Sequence, residues 1–408
     1  MLPRPLLLRV LGIATGSLAL AATWSLYNVH MPLLLGQFIE SRALRGAIMG
    51  LDNVLALVLI PVIGAWSDRV EGRWGRRLPF LLAAVPVTAL AFALLPWAAA
   101  ALWTLLLVDV LFLLAITVYR APLVALMPDH VSEPLRSDAN ALVTLTAAVG
   151  GVLALLLLAP TFDVAVWIPF ALAALLLLAA LLVVLRSAEP HPPHVSSGAV
   201  QDEAPLLGAL LRDARELITP RQRVSLLLLL GLFACFFGFA GVEAQFSVLA
   251  TETLGVSGGR AGQLLGLASL AFVVSALPAG AAARRADPLR TMLAGAAVLT
   301  AALVGAFAAV TLAASATWLL GACLVLAGAG WALVLVPAYP LVVGLGGRER
   351  IGFYTGMYYL FGSAAAIVAP ALVGAGMDLF GNRALFAVAA LALTLGAWAL
   401  ARARAARR

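Results

Sequence analysis

Asp109 and Arg120 stand eleven residues apart in Trp103–Pro128, WTLLLVDVLFLLAITVYRAPLVALMP, a run that is otherwise mostly apolar. An ionisable side chain near the middle of a bilayer costs roughly 2.5–3.5 kcal/mol on insertion scales, so two on one helix need a reason. Eleven residues at about 100° each make about three turns, which places both on one face, about 16 Å apart along the axis. They are too far apart to pair, so each must meet another helix, water or a ligand. The chemistry open to such a pair is proton binding by the acid and charge compensation by the base. Two further acids lie in apolar runs: Asp52 in GLDNVLALVLIPVIG and Glu243 in FAGVEAQF. Counted from helix ends at about 1.5 Å per residue, Asp52, Asp109 and Glu243 fall in the outer half of the membrane and Arg120 in the inner half. Three carboxylates at similar depth cannot all ionise cheaply, because desolvation and like charge both oppose it. At least one is expected to take up a proton from the outer side. The structural alternatives are a capping role for Asp52 with Asn53 and an interhelical hydrogen bond for Glu243.

The elements that hold these groups are read from composition. The chain has 408 residues, 63% hydrophobic and only 11% charged, with a mean hydropathy of +1.06. Soluble domains carry about 25% charged residues, so the class is an all-α integral membrane protein. Apolar runs separated by Arg, Gly and Pro predict twelve spans, near 9–37, 46–66, 78–99, 102–127, 138–159, 164–185, 224–250, 261–283, 290–313, 317–345, 352–374 and 383–401. The first has Arg4 and Arg9 as a basic flank but is too long for a cleaved leader, and it is expected to remain as a helix. All 26 basic residues are arginine. With both termini placed in the cytoplasm, most of them fall on the inner side, as the positive-inside rule requires. That placement, not nucleic acid, accounts for the net charge of +7. The expected location is a cell (inner or plasma) membrane.

The only long hydrophilic stretch divides the chain into six-span halves, 1–188 and 223–408, joined by a linker at 189–222. Within the linker, Leu206, Leu207, Leu210, Leu211, Leu217 and Ile218 face away from Arg212, Asp213, Arg215 and Glu216, which suits a helix lying on the inner membrane surface. The halves resemble each other weakly: Gly64-Ala-Trp-Ser-Asp68-Arg69 closes the second span and Gly280-Ala-Ala-Ala-Arg284-Arg285 the eighth. Repeated halves of this kind place a solute site near mid-membrane. Candidate walls are Trp24, Tyr27, Asn28 and Met31 on span one, Trp331 and Tyr339 on span ten, and Tyr354, Tyr358, Tyr359 and Phe361 on span eleven. Asn53 and Gln245 are polar candidates beside the acids. Such aromatic stripes also serve as packing or as an interfacial belt. Cys235 and Cys323 lie in apolar segments and read as packing. His191 and His194 read as linker residues, so no metal or other cofactor is expected. No P-loop, HExxH or activated serine is present, and no enzyme is expected.

The loop after span two reads GAWSDRVEGRWGRRLPF, Gly64 to Phe80. Gly64 would allow close helix approach, while Asp68 and Arg69, Arg73, Arg76 and Arg77 could form a charged interlock that gates the inner side. The loop resembles the signature of the major facilitator superfamily, in the longer spacing of the glycoside–pentoside–hexuronide:cation symporters and the related sucrose:proton symporters. Asp109 and Arg120 look like the Asp and Arg on the fourth helix of the sucrose branch. Arg136-Ser-Asp-Ala-Asn140-Ala, with Gly150-Gly151 downstream, looks like that family's entry to helix five, and Arg136 is expected to join Gly64, Asp68 and the loop arginines in the gate. The resemblance implies a twelve-helix carrier in which Asp109 couples the proton and Arg120 serves sugar or charge compensation. Sodium coupling is disfavoured, because Ala56 and Ile60 stand where the melibiose-like symporters carry acids.

The combined expectation is a proton-coupled symporter of a small sugar or glycoside, monomeric, with a small-molecule solute and the bilayer as partners. Its alternative is a proton-antiporting exporter of drugs or metabolites, which the apolar residues between Asp109 and Arg120 keep open.

Overall fold

In lipid every backbone N–H and C=O must be satisfied within the chain, so apolar spans fold as helices. The computed structural model describes residues 2–194, 222–312, 317–346 and 350–407. Within them lie thirteen α-helices: α1 (Arg4–Leu35), α2 (Arg42–Met49), α3 (Leu51–Arg69), α4 (Leu78–Ala98), α5 (Leu102–His130), α6 (Arg136–Leu153), α7 (Ile168–Ser187), α8 (Arg223–Leu254), α9 (Gly258–Arg285), α10 (Pro288–Leu312), α11 (Thr317–Val343), α12 (Ile351–Phe380) and α13 (Ala384–Ala406). They make twelve segments long and apolar enough to cross a membrane, with α2 and α3 together forming the second. The expected surface helix in the linker lies outside the described residues.

Two spans depart from simple helices, and residue chemistry explains each. Span two is helical from Arg42, earlier than expected, and is interrupted at Gly50 between α2 and α3. Span five ends its α-helix at Leu153, passes through a wider turn at Ala154–Leu158 and tightens over Ala159–Asp163. Pro160, which has no N–H to donate and whose ring crowds the preceding turn, sits at that change.

The chain forms two compact units. The first comprises Met1–Glu40, Leu51–Ala199 and Val256–Gly266. In it α1 packs on α6 and α7, α4 packs on α5 and α7, and α3 packs on α5. The second comprises Ser41–Gly50, Val200–Gly255 and Leu267–Arg408. There α8 packs on α12 and α13, α10 packs on α11 and α13, and α2 packs on α12. The pairing of spans one, three, four, five and six in the first unit thus recurs among spans seven, nine, ten, eleven and twelve. Large apolar side chains such as Leu107, Leu277 and Leu312 stand exposed on the outer faces of their helices. Lipid covers such faces in a spanning protein, so they need no partner helix.

Candidate functional site

Asp109 lies in the interior of the first unit, 1% exposed. The Tyr27 hydroxyl of α1 faces its carboxyl, and Asp52 of α3 lies near enough to act on both electrostatically. Neither Tyr27 Oη nor Asp109 Oδ1 makes a hydrogen bond of good geometry among the described residues. Asp52 is itself buried and accepts from Asn53 Nδ2 at 2.6 Å, so Asp52 and Asn53 are paired side by side at the start of α3. Tyr27 is held by aromatic neighbours, stacked on Trp24 at 5.4 Å and packed against Phe112 at 5.2 Å. The chain of rings continues through Phe92 and Phe170 to His30, which stacks on Phe162 at 4.3 Å. Such pairs are worth about 0.5–1.5 kcal/mol beyond area burial, so Tyr27 and Trp24 are held in place. Asn28 points from the same helix and is half-buried.

The α5 face that carries Asp109 changes character along its length. Asp109 and Leu113 are buried, whereas Arg120 and Val124, three turns further on the same side, are exposed. The helix therefore presents an enclosed carboxyl at one level and an open guanidinium at another.

The second unit holds the remaining membrane candidates. Trp331 is 4% exposed and stacks on Phe239 at 4.3 Å; Phe236 meets both Trp331 and Tyr358 edge-on, and Tyr358 meets Tyr339 and Tyr359. Trp331 and Tyr358 thus belong to one aromatic cluster, and Phe236 and Phe239, which the sequence reading passed over, complete it. Glu243 is half-buried one turn beyond Phe239. Gln245 behaves differently from expectation. It is 1% exposed, and its Nε2 donates to the Arg42 and Pro370 carbonyls at 3.0 and 2.9 Å. Its donor group joins backbone to backbone, which leaves a solute-binding role without support.

The charged loop after span two is ordered by one residue that the sequence reading missed. Asp129, in the last turn of α5, accepts from Arg76 NH2 at 3.0 Å and from Arg77 Nε at 3.1 Å. Arg77 also donates to Ser67 Oγ and pairs with Asp68. Gly75, at φ +69°, turns the chain so that both arginines face α5, a backbone conformation that residues with a Cβ rarely adopt. The signal for Asp129 was present, an acid directly after Pro128 at the end of a span, but it resembles ordinary loop punctuation. Asp68 is half-exposed and 3.9 Å from Arg76. Arg73 lies over the Trp74 ring at 5.6 Å, and Arg69 is exposed. Two expectations are corrected. Gly64 has no atom within 4 Å of where a Cβ would sit, so no close helix approach uses it. Arg136 donates to the Val131 and Pro128 carbonyls at 3.2 and 3.3 Å; among the described residues it caps the end of α5 rather than joining the charged interlock.

The first unit thus holds a buried acid with an exposed arginine further along the same helix, and each unit holds an aromatic cluster. Comparison with known proteins agrees with the fold. A family model described as Major Facilitator Superfamily matches residues 13–306 and 228–408. Solute carrier family 45 member 3 of Mus musculus is 31% identical over 192 residues, covering 41% of this chain and 34% of that protein. The match therefore spans about a third of the relative's length. The solved structure of the nucleoside transporter NupG superposes with a TM-score of 0.74 at 14% identity, covering 97% of this chain and 99% of that one. The human organic anion transporter MFSD10 superposes at 0.59 with 21% identity, covering 98% and 100%. With its family match across both halves, twelve spans and two similarly packed helical units, the chain belongs to the Major Facilitator Superfamily.

Proposed function

We propose that this carrier is a proton-coupled symporter of a small sugar or glycoside, working by alternating access in a cell membrane with both termini cytoplasmic. The observation that carries the reading is Asp109: a carboxyl buried inside a spanning helix, with one oxygen unpartnered and a tyrosine hydroxyl facing it. Asp109 binds the proton and a substrate hydroxyl; Tyr27, Trp24 and Asn28 shape its surroundings. Arg120 supplies the counter-charge on the open part of the same face. Asp52 and Glu243 assist coupling. Asp68, Arg69, Arg73, Arg76 and Arg77 form the cytoplasmic gate, and Asp129 anchors it. Sugar as the substrate class is supported by the sequence resemblance of the charged loop and of the Asp109 and Arg120 spacing. The fold alone serves transporters of several solute types, as its neighbours' descriptions say.

Purified protein in proteoliposomes tests the reading. Protons moving inward with an added sugar or glycoside support symport; protons moving against the solute would instead assign export, which the apolar residues Val110–Ile116 around the acid also suit. Replacement of Arg120 by alanine is expected to lower transport about tenfold or more, since one charge-assisted hydrogen bond from its guanidinium to the solute is worth over one kcal/mol. Transport near the wild-type rate with normal folded yield would leave Arg120 a merely structural residue.

A further inference from the structure

The first residues after α7 run back across the inner end of the first unit. Residues 188–194 form no helix and are held as a strap, chiefly by partners distant in sequence. The Ala188 N–H closes α7 on the Val184 carbonyl at 2.8 Å. The next two attachments lie on α5. The Glu189 N–H donates to His130 Nε2 at 2.8 Å, and the His194 N–H donates to the Asp129 carbonyl at 3.1 Å. The Glu189 carboxylate also pairs with Arg9 of α1 at 2.6 Å. Between these points the Pro190 carbonyl lies on Gly75, so closely that a Cβ there would overlap it. The strap therefore covers the turn that presents Arg76 and Arg77 to Asp129.

His130 is 2% exposed, and both of its ring nitrogens are engaged. Nδ1 lies 2.7 Å from the Leu126 carbonyl, which can only accept, so Nδ1 carries the hydrogen. Nε2 meets a backbone N–H, which can only donate, so Nε2 carries none. The docked strap thus requires the neutral ring in one tautomer. A proton on Nε2 would set two N–H groups against each other, and that bond would have to part. The charged groups that act on the ring are Arg9 from α1, Glu189 from the strap and Asp129 from its own helix. Glu189 is taken up by Arg9, and Asp129 by Arg76 and Arg77 from the loop after span two. From α6, Arg136 turns to the Pro128 and Val131 carbonyls. Both carboxylates that act on the ring are therefore already paired with arginine.

We propose that His130 is a proton-operated latch: with its ring neutral the strap is docked over the charged loop, and with its ring protonated the strap lets go and uncovers that loop. The docked form excludes a proton that the released form binds, so falling pH favours release. One such proton changes the ratio of released to docked strap by up to about tenfold per pH unit. The charge of a histidine ordinarily changes between about pH 5 and pH 8, so the latch works in the range that a cytoplasm crosses as it acidifies. The Arg9–Glu189 pair is partly exposed, 35% and 45% at its two side chains, and such pairs hold little on their own. The cytoplasmic placement of the strap rests on the orientation given above. The latch itself rests on the two ring bonds and holds whichever side it faces.

Electron paramagnetic resonance of the full-length protein in lipid nanodiscs, where both faces meet the same buffer, tests the latch. In a Cys235→Ala, Cys323→Ala background, a nitroxide on Pro193→Cys reports on the strap and one on Ser137→Cys, in the first turn of α6, is the control; both positions are exposed. From about pH 8 to about pH 5 the ratio of mobile to immobile signal at Pro193→Cys is expected to rise about tenfold or more, reversibly, while the control stays level. His130→Gln offers an amide oxygen that accepts the Glu189 N–H at every pH, so its strap should stay immobile throughout. His130→Arg can only donate and should leave the strap mobile throughout. Replacing the strap's own histidines, His191→Gln with His194→Gln, should keep the response. A level strap signal in the parent overturns the proposal, as does a pH response that survives His130→Gln. So does a response lost with the strap histidines, or an equal change at Ser137→Cys, which means general loosening. If one His130 variant fails to fold the other decides, because loss of the pH response in either supports the latch. No solute or gradient enters the measurement, so failure of proton-coupled uptake would remove the symporter reading and leave this pattern untouched.

Discussion

Asp109→Asn is expected to abolish uphill accumulation of solute while leaving a folded carrier. Asparagine keeps the shape of aspartate, so the packing of Trp24, Tyr27 and Phe112 around it survives. What it removes is the ability to gain and lose a proton. Coupling between proton and solute is a free energy linking two binding events, and it vanishes when one of them cannot occur. A proton gradient then does no work on the solute, whose inside-to-outside ratio falls to about one. Exchange of labelled for unlabelled solute needs no net proton movement and should persist. The measurement is gradient-driven uptake beside solute exchange in the same proteoliposomes. Wild-type accumulation by the variant would remove Asp109 from coupling. Loss of both activities with normal folding would make it a solute ligand alone. Asp52→Asn is expected to do less, because Asp52 already accepts from its neighbour Asn53.

Much of the fold was legible because a membrane simplifies the code. Where backbone polar groups must be satisfied inside each span, long apolar runs leave little choice but helices, and twelve runs gave twelve spans. The departures needed neighbours to interpret. The interruption at Gly50 and the widened turn before Pro160 depend on how α2 and span five pack, which hydropathy does not encode. The site divides in the same way. Asp109, Tyr27 and Trp24 come together in the first unit because an unusual acid and an aromatic stripe on apolar helices are conspicuous. Trp331 and Tyr358 meet in the second unit for a similar reason. Gly64, Arg136 and Gln245 carry residue types that invite a role, yet a Cβ at Gly64 would meet nothing within 4 Å, Arg136 caps a helix end and Gln245 joins two carbonyls.

Asp129→Asn is expected to be the most destabilising single change in the charged loop, more so than the change at Asp68 that the sequence motif draws attention to. Side-chain exposure decides between them. Asp129 and Arg77 are each 8% exposed where they pair, whereas Asp68 is 53% exposed. Removing one partner of a buried ion pair costs about 3–5 kcal/mol, because the other charge stays buried. An exposed pair is worth about 0–1 kcal/mol. Asp129 serves two arginines, and the loss falls unequally on them. Arg77 keeps Ser67 and Asp68, while Arg76 is left with Asp68 at 3.9 Å. The cost of Asp129→Asn therefore belongs at the lower end of that range, about 3 kcal/mol, and Asp68→Asn should cost less than about 1 kcal/mol. Thermal unfolding of the purified variants in detergent compares the two directly. If Asp129 acts through Arg76, adding Arg76→Gln to Asp129→Asn should recover part of the lost stability by removing the stranded charge. Equal melting shifts for Asp129→Asn and Asp68→Asn, with no recovery in the double variant, would mean that the Asp129 pairs carry no more than surface ion pairs do.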